Sequence, residues 1–304
     1  MAHHDIEIIE DAFIFCANPS APLDRLYTGG IWAEGPAYFP ALRCLVWSDI
    51  PNNRMLRWDE LTNTTGVFRH DARFTNGNTV DRQGRLVSCQ QGARRVVRTE
   101  HDGSTTVLAD SWQGKRLNSP NDVVVKSDGS IWFTDPSYGL DSWFEGDKGE
   151  SQIGSDNVYR ICPQTKECKL VADDFRRPNG LAFSPDEKFL YIVDSGGIRF
   201  PENPRHIRRF SVDDRNEITG GEVFAECTNG KFDGIRFDDE GRLWAAAMDG
   251  IHCLATDGTL MGKILVPEPA SNLTFGGQRR NRMFITATCS MYSILLPVRG
   301  ARTF

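Results

Sequence analysis

The chain has 304 residues, of which 39% are hydrophobic and 25% are charged, and its formal net charge is −6. This hydrophobic content is enough for a sizeable core, so the composition excludes a disordered chain. The negative charge and the lack of a Lys/Arg-rich stripe argue against a nucleic-acid-binding protein. No run of 18 apolar residues is present, which argues against a membrane protein.

The first 30 residues contain two short apolar pieces, 6–9 and 12–15, and then a loop with two prolines. Acidic residues interrupt the apolar stretch, so it predicts neither a signal peptide nor a membrane anchor. We therefore expect a cytoplasmic protein. Residues 1–30 are predicted to be an N-terminal closing segment that supplies a β-strand to the end of the chain.

From Glu34 onwards, one phrase recurs: a polar residue, a short apolar run, a tight turn and a returning β run. Its clearest copy is SPNDVVVKSDGSIWFTDP at 119–136, in which Ser127, Asp128 and Gly129 supply the turn. We call the polar residue that begins each copy an opener. The six openers are Glu34, Asn76, Asn121, Asn179, Asp233 and Asn272.

Successive openers are 39 to 58 residues apart, and a period in this range indicates a repeat protein. A unit of roughly 45 residues with four short strands has the size of a propeller blade. The sequence therefore predicts an all-β, six-bladed β-propeller of four-stranded blades, with residues 1–304 forming a single domain. The last copy has room for only three strands, so we expect an N-terminal strand to close that blade and cover its edge.

The two longest intervals contain insertions at 137–156 and 195–206, each after the second strand of its blade. In an antiparallel hairpin the end of the second strand lies beside the start of the first, so both insertions are expected on the side of the openers. The first carries Trp143 and Phe144, and the second carries Phe200. Such loops act as lids over a site or as surface loops that cap a blade, and both interpretations stay open.

Each opener taken singly is a common turn former. In a ring, however, six openers meet at one channel mouth. Glu34, Asn121, Asn179 and Asp233 would then offer two carboxylates and two amide oxygens, a donor set that suits a hard cation. We predict Ca²⁺, with Mg²⁺, Mn²⁺ or Zn²⁺ as alternatives. Other polar and aromatic side chains are expected at the same mouth as substrate-binding residues: Asn76, Asn78, Asp122, Trp143 and Asn272.

These phrases resemble the SMP-30/gluconolactonase/luciferin-regenerating-enzyme family, and most of all its bacterial-type gluconolactonases. The resemblance covers about 31–294 and is carried by EGP at 34–36, the stretch 119–140, RPNGLAFSPDEKFLYIVDS at 177–195 and FDGIRFDDEGRLW at 232–244. It implies a six-bladed propeller with one divalent ion in the channel and a lactonase or related ester-hydrolase activity.

The resemblance also places the metal ligands of the family on Glu34, Asn121, Asn179 and Asp233. Sugar-lactone members of the family carry an Arg just before the blade-three Asn, where this chain has Ser119 and Pro120. Arg116 is the nearest arginine that would replace it as a substrate-binding residue.

The predicted function is calcium-dependent hydrolysis of a small sugar lactone of the gluconolactone type. The cation would polarise the carbonyl, and Asp233 would be the general base toward water, with Asp122 and Asp194 as alternatives. Two rival functions stay open: hydrolysis of organophosphates or aryl esters at the same metal site, and a propeller that serves only as an interaction platform. The sequence does not indicate an oligomeric state.

Overall fold

A computed structural model describes residues 5–198 and 202–302, so the predicted loop aromatic Phe200 lies outside the described residues. The N-terminal part contains β1 (Ile6–Ile8), a 3₁₀-helix (Asp11–Phe15) and β2 (Asp24–Thr28). In the described part of the chain, no helix is both long and apolar enough to cross a membrane.

The remaining strands follow in chain order. Blades one and two contain β3 (Ala33–Phe39), β4 (Cys44–Asp49), β5 (Arg54–Asp59), β6 (Thr64–His70), β7 (Thr75–Val80), β8 (Leu86–Gln90), β9 (Arg95–Thr99) and β10 (Thr105–Ala109). A small hairpin follows, made of β11 (Ser111–Trp112) and β12 (Lys115–Arg116). Blades three and four contain β13 (Val123–Val125), β14 (Ile131–Asp135), β15 (Asn157–Ile161), β16 (Cys168–Ala172), β17 (Pro178–Phe183), β18 (Phe189–Asp194), β19 (His206–Val212) and β20 (Ile218–Glu226). Blades five and six contain β21 (Phe232–Phe237), β22 (Leu243–Ala247), β23 (Gly250–Leu254), β24 (Leu260–Leu265), β25 (Ala270–Gly276), β26 (Arg282–Ala287) and β27 (Ser290–Leu295).

Each blade is an antiparallel sheet whose first strand lies innermost. The six first strands, β3, β7, β13, β17, β21 and β25, contact one another in turn, and β25 contacts β3 to complete the ring. The predicted six-bladed propeller of four-stranded blades is thereby confirmed. Two short helical segments lie in the insertions on the side of the openers, α1 (Tyr138–Asp141) and a 3₁₀-helix (Gly196–Ile198).

An N-terminal strand does close the last blade, but neither predicted apolar piece provides it. β2 pairs with β27 and becomes the fourth strand of blade six, whereas β1 pairs with β24 and adds a fifth strand to blade five. The piece at 12–15 belongs to the 3₁₀-helix, where only Phe13 is buried. Phe13 packs against Trp244 of blade five, so this segment serves packing between elements rather than pairing of strands.

The core lies between neighbouring blades. Trp132 of blade three is fully buried and packs with Leu181 and Ile192 of blade four, and the other blade junctions carry similar clusters. Because each sheet covers the face of the next, the apolar run of every repeat is hidden only when the ring is complete.

Five of the six openers lie at β-bulges rather than in tight turns. In five of the six inner strands the pairing register shifts at the opener, as it does between Glu34 and Ala37 and between Phe232 and Ile235. A bulge re-aims a side chain and twists the strand. The bulge therefore explains why the opener side chain points to the channel, although the regular alternation of side chains along a strand would not place it there.

The glycine that follows four of the openers allows the next blade to approach closely. A Cβ on Gly35 would lie 2.2 Å from the carbonyl oxygen of Asn76, and one on Gly180 would lie 2.2 Å from that of Asp233. Both distances are far below van der Waals contact, so no other residue fits there without displacement. The Asn-Gly and Asp-Gly pairs therefore mark contacts between blades rather than hairpin turns.

Candidate active site

The six openers come together at one mouth of the channel, and each is between 2% and 5% exposed. Contacts between successive blades hold the ring together there. The Gly77 amide donates to the Asn121 carbonyl at 2.7 Å, and the Asn272 amide donates to Glu34 Oε2 at 3.3 Å. The structure thus brings together the openers of blades two and three and those of blades six and one.

Glu34 is a buried carboxylate with few partners. Its Oε2 accepts hydrogen bonds from the Gly35 amide at 2.9 Å and from Asn272, while burial and the negative charge of Asp233 hold its pKa well above the ordinary value. The Asp122 carboxylate adds to this repulsion. A carboxylate whose pKa is raised by neighbouring negative charge marks a place where positive charge is favoured.

Lys231 supplies a positive charge beside Asp233. Its Nζ lies 2.7 Å from Asp233 Oδ2, and the two side chains are only 14% and 5% exposed. Burial raises the pKa of Asp233, and the Lys231 ammonium and the Asn179 amide act in the opposite direction. Burial lowers the pKa of Lys231, but the charge and hydrogen bond of Asp233, together with Tyr138 and Glu34, outweigh it, so the net pKa is raised and the lysine is an ammonium ion.

The first turn of the 137–156 insertion forms one wall of the mouth. The Tyr138 ring lies between two cations, with the Arg177 guanidinium 4.9 Å and Lys231 Nζ 5.9 Å from its centroid. Arg177 is paired with Asp141 at 2.8 Å. The Tyr138 hydroxyl is buried and has no hydrogen-bond partner among the described residues. Burial raises the pKa of Tyr138 to about 12, so it is a neutral donor and acceptor at physiological pH.

The donor chemistry of this mouth fits a hard cation. Among residues 5–198 and 202–302, no three His, Cys, Asp or Glu side chains form a metal-binding group, so any site here depends on amide oxygens as well as carboxylates. Two carboxylates, Glu34 and Asp233, are present, and the Asn121 amide makes no side-chain hydrogen bond with the described residues. Oxygen donors of this kind suit Ca²⁺ or Mg²⁺ better than a thiophilic metal.

Comparison with known proteins fits this arrangement. The sequence model of the SMP-30/Gluconolactonase/LRE-like region matches residues 32–289. The chain belongs to this family. Its resemblance to the family, inferred above from the repeated phrases, is therefore confirmed.

Several relatives within or beside the SMP-30/gluconolactonase family are similar over most of their length. A gluconolactonase of Zymomonas mobilis is 30% identical over 300 residues, which cover 88% of this chain and 80% of the relative. A solved gluconolactonase of Xanthomonas campestris is 39% identical, with a TM-score of 0.89 over 96% of this chain and 94% of that one. A luciferin-regenerating enzyme shares the fold at 18% identity, with a TM-score of 0.77 over 93% and 99% of the two chains.

Three predicted sugar-binding residues have different surroundings in this SMP-30-like ring. The Asn78 amide is fully buried and engaged, because its Nδ2 donates to the Gly35 carbonyl at 2.9 Å and its Oδ1 accepts from Ser88 at 2.6 Å. The backbone carbonyl of Asn76 is likewise engaged by Ser48, at 2.7 Å. Asp122 points along the channel, where its Oδ2 lies 3.5 Å from Arg236 Nη1.

Two other predicted substrate residues lie on the exterior. Arg116 is exposed on β12 and donates to the Ala93 carbonyl at 3.2 Å. Trp143 is 71% exposed, beyond the turn that carries Tyr138. That turn is tied to the ring, since the Gly139 amide donates to Ser119 Oγ at 2.9 Å. The structure does not bring Arg116 and Trp143 together with the openers.

Asp194, an alternative general base, serves the backbone instead. Its carboxylate accepts the amides of Arg176 at 2.9 Å and Arg177 at 3.0 Å. Asp49 and Asp135 end the second strands of blades one and three and accept the amides of Ile31 and Asn118, at 2.9 and 2.8 Å. In all three blades this aspartate fixes the chain three residues before the opener. These three aspartates therefore brace the rim of the channel.

The sequence interpretation did not single out Lys231, and it weighed the aromatics Trp143 and Phe144 above Tyr138. A usable signal was present for the lysine, because it stands two residues before Asp233 and alternate residues of an extended chain share one side. The position of Tyr138 depends on how the insertion folds back, and no local pattern predicts that.

Proposed function

We propose that the chain is a lactonase that hydrolyses a sugar lactone of the gluconolactone type, with Ca²⁺ held by Glu34, Asn121, Asn179 and Asp233. The single observation that carries the proposal is the convergence of these buried oxygen donors at one mouth of a chain similar to two gluconolactonases. The related gluconolactonases support a sugar lactone as the substrate class. The oxygen donors at the mouth support hydrolysis assisted by a metal ion.

A cation bound at the four residues would supply Lewis-acid polarisation of the lactone carbonyl. In this scheme Asp233 takes the proton of the attacking water, because it is a buried carboxylate with an ammonium ion at 2.7 Å that favours its ionised form. Lys231 also fixes the orientation of that carboxylate. Glu34 adds a second carboxylate to the mouth, and a bound cation would favour its ionised form against the burial that raises its pKa.

Substrate hydroxyls would be bound by the side chains that still have hydrogen-bonding capacity. The Tyr138 hydroxyl has no partner among the described residues and is neutral, so it is suited to a sugar hydroxyl as donor or acceptor. A lactone that satisfies a buried, unpartnered hydroxyl gains both the new hydrogen bond and relief from desolvation. We therefore assign Tyr138 to substrate binding, the role predicted above for Trp143.

The test is hydrolysis of glucono-δ-lactone by the purified chain before and after treatment with a chelator. Activity should disappear on stripping and return with Ca²⁺, and Mg²⁺ and Mn²⁺ are compared in the same assay. Asp233→Asn should reduce kcat by roughly 10²-fold or more, as expected for loss of a general base. Asp102→Asn, in an exposed turn, is the matched control.

The outcomes separate the parts of the proposal. Full activity after stripping would reject the metal, and near-normal turnover of Asp233→Asn would reject its role as base. An aryl ester and an organophosphate triester are assayed in parallel, and faster turnover of either would reject the lactone as the preferred substrate. Inactivity toward all three would favour an interaction platform.

A further inference from the structure

The other end of the channel holds a separate cavity. All six inner strands border it with the residues that follow their openers, and its open volume is about 910 Å³, the solvent inside its mouth included. Its wall combines polar groups with apolar side chains from several blades, and the apolar ones include Val80, Val124, Phe183, Phe237 and Phe275. None of the four predicted metal ligands borders it.

The side chain of Arg236 lines this cavity. The side chain of Arg236 is 13% exposed, and only its Nη1 is engaged among the described residues, by the Ile235 carbonyl at 2.6 Å and by Asp122 Oδ2 at 3.5 Å. Its Nε and Nη2 donors therefore stay available on the cavity side. An arginine with two adjacent free donors matches the two oxygens of a carboxylate.

The other charged groups at this end reinforce the positive character. Arg302 lines the rim and is exposed. Glu187 is the acidic residue of the wall, and its carboxylate is already engaged, because it accepts hydrogen bonds from the amide and the hydroxyl of Ser127. An incoming anion would meet Arg236 at the base of the cavity, with Asp122 3.5 Å behind it, then Arg302 at the rim and the occupied carboxylate of Glu187.

We propose that this cavity is a second binding site, for a small organic carboxylate with a flat apolar body. The carboxylate would bind Arg236 and the apolar body would pack on Val124 and Phe183. Ligand sites in proteins commonly combine apolar side chains with polar groups that fix orientation, and both kinds of group line this cavity. The inference is independent of the proposed lactonase activity, since it uses the opposite end of the channel.

The test is calorimetric titration of the purified full chain with benzoate, with benzamide and acetate as contrasts. Benzoate should bind with one-to-one stoichiometry, at least tenfold more tightly than benzamide, which lacks the charge, or acetate, which lacks the ring. Arg236→Met should weaken benzoate binding at least tenfold. Arg209→Met is the matched control, since that arginine pairs with Glu222 on the outer part of blade four, and it should keep the wild-type affinity.

Val124→Phe is a second cavity variant, which tests the site even if Arg236→Met fails to fold. It fills the cavity while the Arg236–Asp122 contact stays, and it should also weaken benzoate at least tenfold. Asp233→Asn should bind benzoate as the wild type does. The proposal is overturned if benzoate fails to bind at millimolar concentration, if both cavity variants bind it normally, or if Asp233→Asn abolishes binding, which would place benzoate at the opener mouth.

Discussion

The contact between Lys231 and Asp233 offers a quantitative test of the opener mouth. Lys231→Met leaves Asp233 as a buried carboxylate without its cation. At a separation of 2.7 Å the attraction is about 6 kcal/mol for an effective dielectric constant near 20. Loss of hydration offsets part of it, and removing one partner of a buried pair typically lowers stability by about 3–5 kcal/mol. We expect a loss of that size in the free energy of unfolding.

The assay is a double-mutant cycle from urea unfolding at pH 7 with a chelator present. Lys231→Met and Asp233→Asn are each measured alone and then combined, and the double variant should recover about 2 kcal/mol or more relative to the sum of the single losses. Strictly additive losses would refute the reasoning. Ca²⁺ should stabilise Lys231→Met more than the wild type, because the cation then has no ammonium ion to compete with it.

Three further changes test the structure around the mouth. Tyr138→Phe should leave the melting temperature unchanged or higher, because its hydroxyl has no partner, while raising KM for the lactone about tenfold; a fall of several degrees would show that the hydroxyl is engaged. Burial raises the pKa of Asp135 to about 8, so the folded chain holds an extra proton and the free energy of unfolding should fall by about 1.4 kcal/mol per unit from pH 4 to 8. Urea unfolding at several pH values should show this slope flattened in Asp135→Asn but kept in Asp49→Asn, whose carboxylate is paired with an arginine. Gly180→Ala should cost more than about 2 kcal/mol, whereas Gly66→Ala, which meets open space, should stay within about 0.5 kcal/mol in the same unfolding assay.

The repeated phrase predicted the blades because it describes a local structure, a β-hairpin made of two apolar runs joined by a turn. The closing strand was misassigned for a related reason. β2 has the sequence DRLYT and is at most half-buried, so it lacks the apolar alternation that identifies a strand. The apolar piece around Phe13 has a stronger pattern, but it is helical because one buried ring, packed on Trp244, determines its place.

The candidate site shows the same division between local and non-local information. Glu34 and Asp233 were predicted as members of one ring because equal phase in a repeat implies equal height in the propeller. Tyr138 comes from an insertion outside the repeat, so its place depends on the Gly139 amide reaching Ser119 and on Arg177 packing against its ring. Contacts of that kind link residues far apart in the chain, so the periodicity of the sequence does not predict them.

The two ends of the channel are joined through Asp122. Its carboxylate is 3.5 Å from Arg236 on the side of the far cavity, and its charge raises the pKa of both Glu34 and Asp233 at the opener mouth. A buried charge acts over several ångströms because little water screens it. Any anion that draws Arg236 away from Asp122 therefore leaves more negative charge facing the opener mouth, which favours a cation there. The proposed cation site and the proposed carboxylate site would therefore lie at opposite ends of the channel, with the contact between Asp122 and Arg236 between them.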